Sequence, residues 1–280
     1  MQEVKERERE NALGLSCGHQ MAGEKKETSR RMGIAMDGAM IHVREEGWKE
    51  VKIGCVYDVV PCQVMDPETK EMTTIGGAHD ISHVAHLGGP ERFGEMLWAE
   101  AWQRGWTRAG ETQVIGDAAV WIWNLTGEHL YTSHQTVDWC HVVEHLAGLA
   151  RLLYDEGTPA ARRWLNKLKK ALFQGDVEGI EATLRRAAKR HPKYQAALLR
   201  EADFFQRNKR RMNYLEMRNE RWLIGSGPIE SDAKQIKGRV AGPGMRWSRP
   251  GADNILLIKT EIMSHRFDRY WKAAYALPPN

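Results

Sequence analysis

The segment GIAMDGAMIHV, residues 33–43, is an apolar run interrupted by Asp37 and Gly38. Residues 48–60, WKEVKIGCVYDVV, alternate apolar and polar side chains and then become mostly apolar. Alternation with a period of two is typical of a half-buried strand, and a continuous apolar run is typical of a strand in a sheet interior. The two segments therefore predict a β-hairpin at the start of a sheet.

Later segments extend this hairpin into a pattern of strands and helices. Residues 61–77 contain two prolines and a pair of glycines, which predict a loop with a short strand. Residues 90–105 start with a proline and carry apolar side chains at helical spacing, which predicts a helix. TQVIGD, residues 112–117, predicts a short buried strand, and residues 132–146 predict a strand that runs into a helix.

Strand patterns stop at this point of the chain. Residues 142–222 carry apolar side chains at helical spacing throughout, and a Gly-rich turn then leads into closing helices. The simplest architecture with this order is an α/β fold, in which an all-helical insertion interrupts a mixed sheet flanked by helices. The predicted units are a polar N-terminal lead-in at 1–31, a core formed by 32–141 and 223–272, and the helical insertion at 142–222.

The formal net charge of +4 hides an uneven distribution of charge. Residues 1–141 hold 14 basic and 22 acidic residues, residues 142–222 hold 18 and 10, and residues 223–280 hold 9 and 5. An acidic front and a basic back suggest a polyanionic partner for the back half. Solvated helix faces would give the same distribution, so charge alone leaves both interpretations open.

Composition and the N-terminal sequence exclude several classes of protein. No apolar run approaches the ~18–20 residues that a membrane span needs, and the charged N-terminus lacks the apolar core of a secretory signal. The cysteines are scattered and form no C-x-x-C pair, so neither a disulfide framework nor a zinc ribbon is expected. We therefore expect a protein of the reducing cytoplasm.

Three carboxylates occupy notable positions in the predicted elements. Asp37 interrupts a strand, where burial is costly without a partner or a metal; a turn aspartate at the hairpin mouth is the alternative. Asp117 ends a buried strand, a usual ligand position, but it also suits the N-cap of the next helix. Glu230 lies just inside a helix, where it also complements the helix dipole. If the three converge, divalent cations would relieve their repulsion and could act on a phosphodiester.

Histidines form two further patterns. Asp138 and His141, at i and i+3, share one face of a predicted helix with His145, although an N-cap aspartate and partly buried imidazoles explain this equally well. A second set also falls at helical spacing, but no carboxylate or cysteine completes a clear zinc site there. That second set is His79, His83 and His86.

Five motifs occur in a fixed order along the chain. They are MDGAMIHVREEGWKEVKIG, VIGDAAVWIWNL, VDWCHVVEHL, LIGSGPIESDAKQIKGR and GMRWSRPGADNILLIKTEI. Together they resemble the DDE transposases of bacterial insertion sequences, specifically the Kra-type family, which is similar to the Mutator-like transposases. The resemblance spans roughly residues 33–271. It implies an RNase H-like core with a helical insertion before the last catalytic residue.

The resemblance also implies roles for individual residues. Asp37, Asp117 and Glu230 match the catalytic Asp-Asp-Glu triad, which holds two Mg²⁺ or Mn²⁺ ions. Asp138 and His141 match an accessory Asp-x-x-His signature near the active site that does not bind metal. The choice between Asp117 and Asp138 as the second metal ligand stays open, although the strand end and the motif favour Asp117.

The implied activity is cleavage of DNA at the ends of an insertion sequence, followed by transfer of the freed 3′-hydroxyl into target DNA. The implied partners are double-stranded DNA and further copies of the chain, as a homodimer or higher oligomer on DNA in the bacterial nucleoid. Basic and aromatic side chains near Glu230 are expected to hold phosphates and to stack on bases or sugars, with a solvated helix face as the alternative. They are Lys234, Lys237, Arg239, Arg246, Trp247 and Arg249.

Three features depart from the family pattern. Ala118 stands where the family usually has glycine, and Cys140 stands where an aromatic residue is more usual. Only 36 residues precede Asp37, whereas family members usually carry a longer N-terminal region, which suggests a truncated copy. Two other functions therefore remain as alternatives: an RNase H-like nuclease that cuts without joining, and an inactive DNA-binding remnant.

Overall fold

A computed structural model describes residues 2–16, 27–65 and 70–275. Its strands are β1 (Glu27–Val43), β2 (Gly47–Met65), β3 (Met72–Leu87), β4 (Ala109–Gly116) and β5 (His134–Val137). They form one sheet in the order β3-β2-β1-β4-β5. The first three strands are antiparallel neighbours, whereas β4 lies parallel to β1 and β5 parallel to β4. The protein is therefore an α/β fold with a mixed, open, five-stranded sheet.

Helices flank this sheet and fill the segment between β5 and the C-terminal part of the chain. They are α1 (Gln2–Ser16), α2 (Pro90–Gln103), α3 (Val120–His129), α4 (Trp139–Leu153), α5 (Pro159–Phe173), α6 (Val177–Arg190), α7 (Gln195–Asn208), α8 (Tyr214–Asn219), α9 (Gly227–Val240), α10 (Arg249–Met263) and α11 (Phe267–Tyr275). Within the described ranges, no helix is both long and apolar enough to cross a membrane.

Alternating side chains of β1 pack on the two faces of the sheet. Ile34 and Met36 point to the face that α2 and α3 cover, whereas Ala35 and Ala39 point to the opposite face. The cluster on that opposite face continues into α9 and α10 and through the helical segment, where it includes Leu168 of α5. The two faces arise because successive strand residues point to opposite sides of the sheet. On the second face, the sheet and the helical segment share one continuous apolar core.

The first strand is longer than its sequence pattern predicts. It begins at Glu27, inside the segment expected to be a polar lead-in, and residues 2–16 form α1. Residues 17–26 of that lead-in lie outside the described residues. The apolar pattern marks the part of β1 that pairs with β2, whereas the polar extension before it pairs only with β4 and carries no such signal.

The described residues of 61–77 belong mainly to the long antiparallel strands β2 and β3 and not to the predicted loop. Pro61 pairs only with β3, since β1 joins the ladder of β2 no further out than Asp58. A residue without a backbone N–H is tolerated where only one neighbouring strand pairs. A side chain on Gly76 would meet the backbone of Arg221, so this glycine allows a close approach and does not mark a turn.

Candidate active site

Two carboxylates stand side by side at the ends of neighbouring parallel strands. Met36 of β1 is in register with Gly116 of β4, so Asp37 and Asp117 follow at the same level. Asp37 lies between Ala35 and Ala39 in the alternation of β1 and so shares their face of the sheet. Ile115 points to the same face, and Asp117 comes two residues after it. Parallel pairing therefore brings together two residues that are far apart in the sequence.

Backbone amides hold both carboxylates in place. The N–H of Gly38 donates to Oδ1 of Asp37 at 2.7 Å, and the N–H of Ala119 donates to Oδ1 of Asp117 at 2.8 Å. Asp37 lies within β1 opposite Ile53, so the alternative of a turn aspartate at the hairpin mouth is wrong. Asp117 does stabilise the turn that precedes α3. In the described part of the structure, the hydrogen bonds of both carboxylates engage Oδ1.

Asp37 has an unusual electrostatic environment. Burial raises the pKa of its carboxyl, and the charge of Asp117 adds to this effect. The Gly38 N–H and the charges of Lys237 and His141 act in the opposite direction on the same pKa. Two neighbouring, half-buried carboxylates form a site suited to bind positive charge.

Asp138 occupies a different position from these two residues. It is buried, and as the N-cap of α4 it accepts a hydrogen bond from the N–H of Cys140 through Oδ1, at 2.6 Å. Its Oδ2 accepts a hydrogen bond from the hydroxyl of Ser226. Nearby, the N–H of Trp139 donates to the carbonyl of Ile224 at 2.9 Å. Asp138 thus joins the start of α4 to the loop that precedes α9.

His141 and His145 lie one turn apart on α4. Their Nε2 atoms lie 3.2 Å apart, and Nδ1 of His145 lies 2.7 Å from a carboxylate oxygen of Glu201 on α7. The ring of His145 also stacks on Phe204 at 4.3 Å between centroids and an interplanar angle of 8°. His141 is close enough to Asp37 to interact with its charge. A chain of polar contacts therefore runs from Glu201 on α7 to His141 in the first turn of α4. This turn begins at the end of β4, because the N–H of Asp138 donates to the carbonyl of Gly116 at 2.8 Å.

Glu230 lies in the first turn of α9, the helix that packs on β1. Its neighbour Ile229 is buried with Ala39 of β1 in the same cluster. The backbone therefore brings the first turn of α9 to the face of the sheet that carries Asp37. The side chain of Glu230 lies outside the described part of the structure.

The six residues expected to bind DNA fall into two groups. Lys234, Lys237, Arg239 and Arg246 are exposed on α9 and on the loop that follows it. Trp247 and Arg249, in contrast, are held by the fold. Trp247 pairs with the end of β1 through Val43, and its indole N–H donates to the carbonyl of Val240 at 2.8 Å.

Arg249 is held by two elements. Its guanidinium donates to both carboxylate oxygens of Glu46, at 2.7 and 2.6 Å, and to the carbonyl of Leu87 at 2.9 Å. These bonds hold the pKa of Glu46 below its ordinary range. Arg249 therefore fastens the start of α10 to the β1–β2 turn and to the end of β3.

The donor set of this site suits a hard divalent cation. Carboxylate oxygens are the preferred ligands of Mg²⁺, which is usually held by one or two protein carboxylates together with water and substrate phosphates. Asp37 and Asp117 meet that description. Among side chains that the structure describes, no group of three or more His, Cys, Asp or Glu residues is placed to hold a metal ion. The His79, His83 and His86 set lies on strand β3, where helical spacing does not bring side chains together.

No protein-family model and no curated protein matches this chain. The site itself contains residues that the sequence motifs did not single out, namely Ser226 and Glu201. Ser226 lies inside the Gly-Ser-Gly-Pro motif, so its place beside the site could have been suspected. Glu201 lies on a helix far along the chain, and no spacing rule connects it to His145.

Proposed function

We propose that this protein is a transposase of the DDE type, which cuts DNA at the ends of an insertion sequence and joins the freed 3′-hydroxyl to target DNA. The observation that carries the proposal is the pair Asp37 and Asp117, side by side at the ends of parallel strands, on the face of the sheet that α9 covers. The strand order, with three antiparallel strands followed by two parallel ones, is compatible with an RNase H-like sheet. The five sequence motifs support the same interpretation.

The triad would consist of Asp37, Asp117 and Glu230. These carboxylates would hold two Mg²⁺ or Mn²⁺ ions, which supply Lewis-acid activation of a water or hydroxyl and stabilise the leaving oxygen of a phosphodiester. The protein itself fixes the two aspartates through the amides of Gly38 and Ala119. Carboxylates fixed in this way would help to position the reacting phosphate, which is the main contribution of a protein to phosphoryl transfer.

Asp117 is a better candidate than Asp138 for the second metal ligand. Asp117 uses one oxygen for a backbone hydrogen bond, whereas both oxygens of Asp138 accept hydrogen bonds, from Cys140 and Ser226. A carboxylate whose two oxygens are engaged would have to give up one of these bonds to bind a cation. We therefore assign Asp138 the accessory role of holding the loop before α9, with His141 beside the carboxylates.

The exposed cations of α9 and its following loop would contact the DNA backbone. The charge of Lys237 lowers the pKa of Asp37, so the two side chains are near each other. DNA held by Lys237 would therefore lie beside the two aspartates. Lys234, Arg239 and Arg246 extend this basic surface. Two element ends must be brought together for transposition, so a homodimer or higher oligomer on double-stranded DNA is part of the proposal.

Cleavage of a labelled DNA duplex that carries the sequences flanking the coding region tests this function. In Mn²⁺, wild-type protein should nick the duplex, and Asp37→Asn, Asp117→Asn and Glu230→Gln should each abolish nicking. Asp155→Asn, an exposed aspartate in the turn after α4, serves as the matched control and should retain activity. Nicking that survives all three triad substitutions would refute the assignment.

A strand-transfer assay separates the proposed function from its alternatives. A duplex with a labelled 3′-hydroxyl end should become joined to a supercoiled plasmid. Nicking without joining would indicate a nuclease. DNA binding with neither reaction would indicate an inactive remnant.

A further inference from the structure

The polar chain Glu201–His145–His141 crosses from the helical segment to the catalytic end of the sheet. Glu201 and Phe204, one turn apart on α7, contact the same imidazole: the carboxylate lies 2.7 Å from Nδ1 of His145, and the Phe204 ring stacks on its face. One contact fixes the rotation of the ring, and the other fixes its plane. His145 of α4 is therefore held in position by α7.

When both imidazoles are neutral, the hydrogen bonds of this chain assign one proton to each ring. A carboxylate only accepts, so Nδ1 of a neutral His145 must carry the proton that it donates to Glu201. Nε2 of His145 is then an acceptor. His141, whose Nε2 lies 3.2 Å from it, must carry its own proton on Nε2. The Nδ1 atom of His141 is left with a lone pair.

We infer that Glu201 and His145 are positioning residues that hold His141 as the Nε2–H tautomer, with its Nδ1 available as a proton acceptor beside Asp37 and Asp117. This inference rests on the proposed function for its purpose, because a proton acceptor there serves the deprotonation of an attacking water or hydroxyl. It also gives the helical segment a part in the active site. The orientation of a histidine by the hydrogen bond on its other nitrogen is a general device of enzymes.

Nuclear magnetic resonance of the full chain with ¹⁵N-labelled histidine rings tests the tautomers without DNA or metal. Substitution of His141 and of His145 in turn assigns their resonances. In the wild-type protein, at a pH where both imidazole rings are neutral, we expect a protonated Nδ1 on His145 and a protonated Nε2 on His141. Glu201→Ala should mix both tautomers, whereas Glu201→Gln, which keeps an acceptor oxygen, should restore the wild-type pattern. A protonated Nδ1 on His141, or tautomers unchanged in Glu201→Ala, would overturn the inference.

A second variant covers the case in which Glu201→Ala does not fold. His145→Phe keeps a ring to stack on Phe204 but removes both nitrogens, so His141 should lose its fixed tautomer. If the His141 resonances stay as in the wild type, the inference is wrong.

DNA cleavage gives an independent readout of the same variants. Glu201→Ala should lower kcat by on the order of ten- to a hundred-fold, the usual effect of losing a partner that orients a histidine, while KM for DNA stays unchanged. Asp203→Asn, an exposed carboxylate on the same helix that pairs with Arg185, is the matched control and should keep wild-type kcat. A wild-type protein that does not cleave DNA would refute the proposed function, and the tautomer measurement would still decide this inference.

Discussion

Asp138 accepts a hydrogen bond from the hydroxyl of Ser226, and this contact links the first turn of α4 to the loop before α9. The same carboxylate caps α4 through the N–H of Cys140. Because α9 carries Glu230 in its first turn, one buried aspartate sets the position of the helix that bears the proposed third catalytic residue. Its importance follows from this geometry and requires no metal bond.

Asp138→Ala should therefore destabilise the protein and reduce activity at the same time. Loss of an N-cap side chain costs about 0.5–2 kcal/mol, and the buried hydroxyl of Ser226 would also lose its partner. Chemical denaturation measures the first effect and DNA nicking the second. Thr158→Ala removes the equivalent cap of α5; it should cost a similar free energy but leave nicking intact. Equal nicking by both variants would contradict the role given to Asp138.

Neutralising Asp37 should stabilise the fold. Burial raises the pKa of this carboxyl, so its ionised form opposes folding, and the cost appears as the pH rises above the ordinary range of an aspartate. Asp37→Asn removes the cost. Its melting temperature should exceed that of the wild type at about pH 7 and should match it at about pH 3, where both side chains are neutral. If Asp37→Asn is less stable than the wild type at neutral pH, the ionised carboxylate of Asp37 does not destabilise the folded state.

Divalent cations should reverse this order of stability. A ligand that binds only the folded state stabilises it by about 2.7 kcal/mol at a hundred times its dissociation constant. Mn²⁺ should therefore raise the melting temperature of the wild type, and it should have much less effect on Asp37→Asn and Asp117→Asn. Asp138→Ala should keep the response to Mn²⁺. Loss of the response in Asp138→Ala but not in Asp117→Asn would identify Asp138 as the ligand instead.

The sequence predicts those parts of the fold whose signals are local. The apolar segments of β1 and β2, the proline that begins α2, and the strand that ends before Asp117 are all visible as patterns of a few residues. The long antiparallel pair of β2 and β3 is not, because its outer half is largely exposed and contains Pro61, which is tolerated only because of the strand order. The pairing of β1 with β4, which brings Asp37 to Asp117, is a long-range tertiary contact, and no local sequence pattern predicts it.

The docking of α1 also depends on distant partners. Its low apolar content predicts a short helix or a mobile lead-in, yet Lys5 forms a buried ion pair of 2.8 Å with Glu261 of α10. Arg266 bonds the same carboxylate and Glu100 of α2. Cations from near the two ends of the chain thus pair with two buried carboxylates, on α2 and α10. The sequence shows the charges but not their pairing.

Removing one member of this buried set should be costly. Lys5→Met would remove the cation that pairs with Glu261 from α1, and the loss of one partner from a buried pair typically costs about 3–5 kcal/mol. The double variant Lys5→Met with Glu261→Met keeps one cation and one carboxylate, Arg266 and Glu100. It should be much more stable than the sum of the two single changes predicts, as denaturant unfolding in a double-mutant cycle would measure. Additive losses would contradict a paired, buried set.

The two groups within the predicted DNA-binding residues should behave differently in a salt titration. Lys237→Ala and Arg239→Ala remove exposed cations of α9. Each should weaken DNA binding and should lower the slope of log Kd against log salt by about 1 if the residue contacts a phosphate. Arg249→Ala should keep the wild-type slope, since its guanidinium is bound to Glu46 and to the carbonyl of Leu87. Arg249→Ala should instead lower the melting temperature, because α10 loses its attachment to the sheet. A smaller salt slope in Arg249→Ala, with unchanged stability, would return Arg249 to the DNA-binding surface.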